Sequence, residues 1–308
     1  MKYYEYKKEA DITMKKKFNI YDMVNDKIIA MLDKGVVPWQ RPWHGGAMCI
    51  SRVTGKPYSF LNQILLSPNF DGTLESLNSG EYATMQQINK EGGRVNKGAK
   101  SYQVVFWKLF PVKEKNPETN KEEEKTVPVL RYFNVFNIKD TTLEPKFDKK
   151  QIKVAEPDTM AEEILTNYWT TEGIHVERNQ PSNKAAYSPS MDRIILPRID
   201  QFEETAEYYS TAFHESVHST GHKDRLDRGL NTVASFGSET YSKEELVAEI
   251  GASALVSICG LETTSSLRNN VAYIKGWRDA IAKDNKLIIS AAGKAEKAIE
   301  RIMNPVKK

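Results

Sequence analysis

The chain carries one short run whose spacing can do chemistry: His214-Glu215-Ser216-Val217-His218, the pattern H-E-x-x-H. Around it Phe202, Ala206, Tyr209, Phe213 and Val217 recur every three to four residues, the period of an amphipathic helix. On such a helix His214 and His218 stand one turn apart on the same side. Two imidazoles so placed can share one Zn2+ ion, and Glu215 can then reach the attacking water as general base. A zinc ion that does chemistry takes three protein ligands and keeps one position open, so the sequence must supply a third donor.

That donor is expected in residues 242–256, SKEELVAEIGASALV. Ser242 and Glu245 have the spacing of a capping box, which predicts a helix start at Ser242. Leu246, Ile250 and Ala254 give this second helix a buried face, and Glu245 and Glu249 fall one turn apart on it. One carboxylate can complete the zinc site while the other accepts the N–H of a ligand histidine. We take Glu245 as ligand and Glu249 as the orienting residue, with the reverse assignment left open. A solvated acidic stripe on a surface helix is the alternative without a metal.

The run FHESVHSTGHKDRLDR followed by YSKEELVAEIGAS resembles the metallopeptidase domain of ArdC-type antirestriction proteins, carried by plasmids, conjugative elements and phages. The wider class is the zincins with a glutamate third ligand, whose later helix carries E-x-x-x-D or E-x-x-A-D. On that pattern Glu245 takes the ligand position, Ala248 the alanine and Glu249 the acidic position, where this chain has Glu instead of Asp. The resemblance implies one Zn2+ per chain and a protein or peptide substrate.

Other polar groups surround this pair of helices in sequence. Tyr241 is a candidate to stabilise an oxyanion. His222, four residues after His218 but beyond Gly221, is a candidate fourth polar group, whereas His175 reads as an ordinary strand residue. Residues 185–197 read as a hairpin, and the resemblance to zincins implies an edge strand over the metal helix that binds a substrate backbone by strand addition, with 193–196 as the candidate. Residues 158–171 predict an amphipathic helix capped by Asp158, and 267–282 and 286–303 predict two more. This half is expected to be a zincin-like, mostly helical domain with a small β-sheet.

The first half has a different character. Residues 1–150 hold 25 Lys and Arg against 18 Asp and Glu, a surplus of +7, whereas 151–308 hold 19 against 23, or −4. A basic half points to a polyanion. Residues 18–34 predict a helix closed by Gly35. In VVPWQRPW the prolines exclude helix and set Trp39, Arg41 and Trp43 in extended backbone, where they can stack on unpaired bases; burial in a loop is the alternative for each Trp. Lys56 lies in a turn before residues 58–66, which begin a helix or a short strand leading into a helix. Residues 82–91 suit a short helix ending at Gly92-Gly93. Arg94, Lys97 and Lys100 form a basic turn. Residues 101–110 and 131–138 predict an antiparallel pair, with 113–125 a solvated or disordered excursion.

The runs FNIYDMVNDKIIAMLDKGVVPWQRPW, TGKPYSFLNQILL, GGRVNKGAKSYQVVFWK and RYFNVFNI resemble the N-terminal domain of the same ArdC-type proteins, which binds single-stranded DNA with little sequence preference. The expectation is thus an α+β protein in two domains: a basic single-stranded-DNA-binding domain over 1–150 and a metallopeptidase domain over 151–308, joined through the charged, proline-containing stretch 140–157. The expected role is that of an antirestriction protein of a mobile element, a DNA binder carrying a zinc-dependent peptidase with Glu215 as base. The alternative is a non-enzymatic DNA-coating protector whose metal only stabilises the fold. With no apolar run long enough to span a bilayer, no secretory leader and only Cys49 and Cys259, the expected compartment is the cytoplasm.

Overall fold

The computed structural model describes residues 18–39, 48–69, 78–115, 122–147, 157–230, 239–261 and 271–307. Its first element is α1, Ile20–Leu32. The Asn19 side chain accepts from the Tyr21 amide at 3.0 Å, which satisfies one of the free donors of the first turn. Val24, Ile28, Met31 and Leu32 form the buried stripe, and Gly35, with φ of +75°, turns the chain away from the helix end. Then follow β1 (Cys49–Ser51), α2 (Phe60–Leu66), β2 (Gly80–Ala83), α3 (Met85–Lys90), β3 (Tyr102–Lys115) and β4 (Glu122–Asn137). The sheet runs β1-β2-β4-β3, with β1 parallel to β2 and the other pairs antiparallel.

Two expectations for this half are corrected. The helix expected over 82–91 begins only at Met85. Tyr82 and Ala83 belong to β2, and a reciprocal pair between Thr84 and Gln87 fixes the helix start. The excursion expected over 113–125 is narrower, because the ladder continues to Lys115 opposite Glu122. The register sets Lys113 opposite Glu124, Glu114 opposite Glu123 and Lys115 opposite Glu122.

The C-terminal half contains α4 (Pro157–Glu172), β5 (His175–Glu177), β6 (Ala186–Ser188), β7 (Arg193–Ile195), α5 (Thr205–Thr220), α6 (Glu239–Cys259), α7 (Val271–Lys283) and α8 (Leu287–Met303). The helix expected from Asp158 starts one residue earlier, with proline in the first turn, where its missing N–H costs nothing. The small sheet runs β5-β7-β6, parallel then antiparallel. The expectation of 193–196 as an edge strand is therefore corrected. Both sides of β7 are already hydrogen-bonded, so no substrate backbone can add there.

With eight helices and seven strands among the described residues, the chain is α+β. One core joins the halves: Val24, Ile28 and Trp39 share an apolar cluster with Phe213, Val217, Leu246, Trp277 and Ile288. The Trp39 and Trp277 rings meet edge-on at 5.3 Å, and Asn25 Nδ2 donates to Ile281 O at 2.7 Å. Trp39 is fully enclosed. Its expected role as a base-stacking residue is corrected, because a ring packed against Trp277 presents no free face to a nucleotide. Arg41 and Trp43 lie outside the described residues.

Candidate metal centre

Helix α5 positions the histidines through its own amphipathic pattern. Ala206, Tyr209, Ala212, Phe213 and Val217 face the core, which leaves His214 and His218 on an adjoining flank at the boundary of the core. Neighbours lock this helix in rotation. From α4, Trp169 Nε1 donates to Ser216 Oγ at 2.9 Å, and the Tyr168 hydroxyl meets Ser219 Oγ at 2.8 Å. At the helix end, Arg225 Nε donates to Ser219 O at 2.7 Å and Arg228 Nη2 to Val217 O at 2.8 Å, placing cations on carbonyls of the last turn.

Helix α6 brings the carboxylates. It begins at Glu239, so Ser242 lies inside it and the expected capping box is corrected; the Glu245 side chain is turned to the histidines instead of to its own helix start. Gly251 sets the helix separation, since a Cβ there would stand 2.8 Å from Val217 Cγ2, a carbon of the residue between the two histidines.

At the centre, His214 Nε2 and His218 Nε2 are 3.0 Å apart. Glu245 Oε2 lies 3.4 Å from the first and Glu245 Oε1 3.4 Å from the second. Among the described residues, His214, His218 and Glu245 form the group whose ligand atoms converge closely enough to hold a metal ion. The edges fit one: ligand atoms at about 2.0–2.1 Å from a tetrahedral ion stand about 3.4 Å apart. Two imidazoles and a carboxylate suit zinc, and the same donors also accept other first-row ions.

The outer nitrogens of both rings face carboxylates. Glu249 Oε1 is 3.5 Å from His214 Nδ1, within ion-pair range but without a formed hydrogen bond. Glu244 Oε1 is 3.4 Å from His218 Nδ1. Glu244 is itself gripped by Arg228, whose Nε reaches Oε2 at 3.0 Å and whose Nη2 reaches Oε1 at 2.6 Å. Gly221 makes room for that guanidinium, since a Cβ there would meet Arg228 Nη2 at 2.9 Å. Glu244 and Arg228 were missed in the sequence. A counting argument finds the first: two rings bound through Nε2 leave two Nδ1 atoms needing acceptors, and Glu244 stands next to Glu245.

The charges follow from this packing. Burial opposes a charge on His218, yet Glu244, Glu245 and the charge of Glu215 push its pKa up to about 10. Burial also opposes ionisation of Glu245, but the two histidines hold its carboxyl far below the usual range. Glu244 is likewise lowered, burial being outweighed by His218 and Arg228. Buried carboxylates and buried cations thus hold one another in the charged form at this centre. Glu215 is nearly enclosed on the same helix.

The remaining candidates are dispersed. His222 is buried and accepts from the Asp224 amide at 3.2 Å through Nδ1, outside the converging group. His175 is exposed on β5 beside Glu177. Tyr241 falls in the first turns of α6, and its side chain lies outside the described residues. Lys56, Arg94, Lys97 and Lys100 are exposed; the last three share the turn between α3 and β3, which is pinned to the chain after β4 by Asn96 N to Asp140 O and Thr142 N to Arg94 O.

Comparison with known proteins agrees with this arrangement. Residues 18–136 match the family described as the N-terminal domain of anti-restriction factor ArdC, and residues 162–294 match the zincin-like metallopeptidase family. The Mn(II)-bound crystal structure of the antirestriction ArdC protein from plasmid R388 superposes with a TM-score of 0.70 at 29% identity, covering 92% of this chain and 97% of that one. The metal-free structure of the same protein gives 0.69 at 30%, covering 94% and 100%. A DNA primase TraC of Escherichia coli is 30% identical over 95% of this chain, which spans 20% of that longer protein. A divalent metal is therefore supported both by the donor set and by the likeness to a metal-bound structure.

Proposed function

The chain belongs to the ArdC antirestriction family, and from that premise we propose that it binds single-stranded DNA and hydrolyses peptide bonds at the His214–His218–Glu245 centre. The observation that carries the hydrolytic reading is the convergence, at 3.0–3.4 Å, of two Nε2 atoms from α5, the helix that also bears Glu215, with one carboxylate from α6. A zinc ion held there would polarise the scissile carbonyl and make a water molecule acidic enough to attack at neutral pH. Glu215 accepts the proton of that water and passes it to the leaving amine. Glu249 and Glu244 keep the two rings turned so that Nε2 faces inward. Three protein donors leave room for substrate, which favours a catalytic over a purely structural ion.

The DNA-binding reading rests on the +7 surplus of residues 1–150 and on the exposed Lys56, Arg94, Lys97 and Lys100. We assign this work to residues 1–150 and hydrolysis to 151–308. Because α1 shares the core of the C-terminal helices, cutting the chain at 150 would strip its apolar stripe, so point variants make the cleaner test.

Glu215→Ala removes the proton acceptor and no ligand. The variant is expected to retain metal, measured by elemental analysis, and to lose cleavage of a denatured protein substrate. Cleavage at the wild-type rate would end the hydrolytic reading. Protection of DNA from a restriction endonuclease by the same variant separates the two roles: full protection assigns antirestriction to DNA coating and leaves proteolysis a separate task.

A further inference from the structure

The basic turn and Trp39 left open where bases would stack, and the β3–β4 hairpin offers a surface for it. Residues alternate between faces along each strand, and directly opposed residues share a face. The register pairs Val104 with Phe133, Phe106 with Arg131, Lys108 with Val129 and Phe110 with Val127. One face thus begins at the buried Val104 and runs outward into Phe106, Lys108 and Phe110 on β3, with Phe133 and Arg131 on β4. Phe106 is 42% exposed and Phe133 47%, although both are large and apolar.

These side chains form a continuous array. Phe106 and Phe133 meet edge-on with centroids 6.0 Å apart, and Tyr58 adjoins Phe106 at 6.2 Å. Further out, Lys108 Nζ lies 5.3 Å and the Arg131 guanidinium 5.2 Å from the Phe110 ring. Neither cation has a carboxylate partner among the described residues. Exposed rings interleaved with cations, on the hairpin formed by the edge strand β3 and its neighbour β4, match a chain of bases joined by phosphates. A protein partner would meet rings without needing both cations unpaired.

We propose that this face of the hairpin is the single-stranded-DNA-binding surface: bases stack on Phe106 and Phe133, and Lys108 and Arg131 meet the phosphates. The inference rests on the DNA-binding reading above and assigns it a place. Stacking on rings gives no base preference, because every base has a π-face.

The test is binding of a fluorescent oligothymidine to the full chain by anisotropy, across a salt series. Phe106→Leu with Phe133→Leu keeps apolar side chains but removes the rings; it should weaken binding about tenfold or more with unchanged thermal midpoint. Lys108→Ala with Arg131→Ala should lower the slope of log affinity against log salt by about 1.4. If the wild type binds and both double variants bind like it with the same slope, this surface assignment is wrong while DNA binding stands. If the wild type does not bind at all, the DNA-binding reading itself fails and takes the surface with it.

Discussion

Glu244 Oε1 lies 3.4 Å from His218 Nδ1, on the ring nitrogen that Glu245 does not face, while Arg228 grips the same carboxylate through two nitrogens. A chain of charge thus runs from the end of α5 through α6 and back to the centre. Arg228 fixes Glu244, Glu244 fixes the ring, and the ring presents Nε2. Arg228→Ala is expected to weaken divalent-metal affinity roughly ten- to a hundredfold without removing a ligand. A competition titration with a chromogenic chelator measures this, and unchanged affinity would show Glu244 to be a bystander.

The two carboxylates one turn apart have unequal places. Glu245 lies 3.4 Å from both inward nitrogens, whereas Glu249 faces the outer nitrogen of His214. Metal content after dialysis should fall to background for Glu245→Ala and be only reduced for Glu249→Ala. The opposite order would exchange the two roles.

Gly251 tests the helix separation. Alanine there should add about 1 kcal/mol of helix propensity, but its Cβ would press on Val217 Cγ2 and push α6 outward. We expect Gly251→Ala to bind metal about tenfold or more weakly, the scale of a disturbed ligand shell. Calorimetric titration reads it, and wild-type affinity would mean that Val217 yields without moving the helix.

Below the centre, Asp192 meets the fully enclosed Arg225 guanidinium, with Nη1 to Oδ2 at 3.1 Å. Burial opposes the carboxylate charge, yet Arg225 outweighs it and holds Asp192 below its ordinary value. A depressed carboxyl stabilises the fold above its unfolded pKa of about 3.9 and loses that contribution as pH falls through the lower folded value. Asp192 has a φ of +47°, which asparagine tolerates, so Asp192→Asn isolates the charge. It should cost about 3 kcal/mol at neutral pH, and the difference should shrink below about pH 4. Urea midpoints at pH 7 and pH 3 check it; an equal gap at both would rule out the ion pair as the cause.

Trp39 separates packing from recognition. Trp39→Ala should destabilise the fold by about 3–5 kcal/mol through loss of its contact with Trp277. Below its lowered melting point the variant should bind single-stranded DNA as the wild type does. A selective loss of DNA binding with an unchanged melting point would restore Trp39 to the DNA surface.

By itself the sequence determined which residues can act. The H-E-x-x-H spacing, the helical period around it and the acidic helix downstream are local patterns, and local periodicity fixes which side chains share a helix face. The α+β class, the β3–β4 pairing and the three candidate ligands were legible for that reason. Other features depend on which elements meet, and only the tertiary structure decided them. The close approach of α5 and α6 at Gly251 set Glu245 before both rings and Glu244 beside His218; adjacency to Glu245 makes Glu244 a candidate, but which ring it meets depends on how the two helices pack. Arg228 reached Glu244 because the chain doubles back after Gly221. Trp39 went to the core because α7 supplied Trp277, and β7 lost its free edge because β5 and β6 flank it. Spacing along the chain selects a face; long-range packing selects what that face meets.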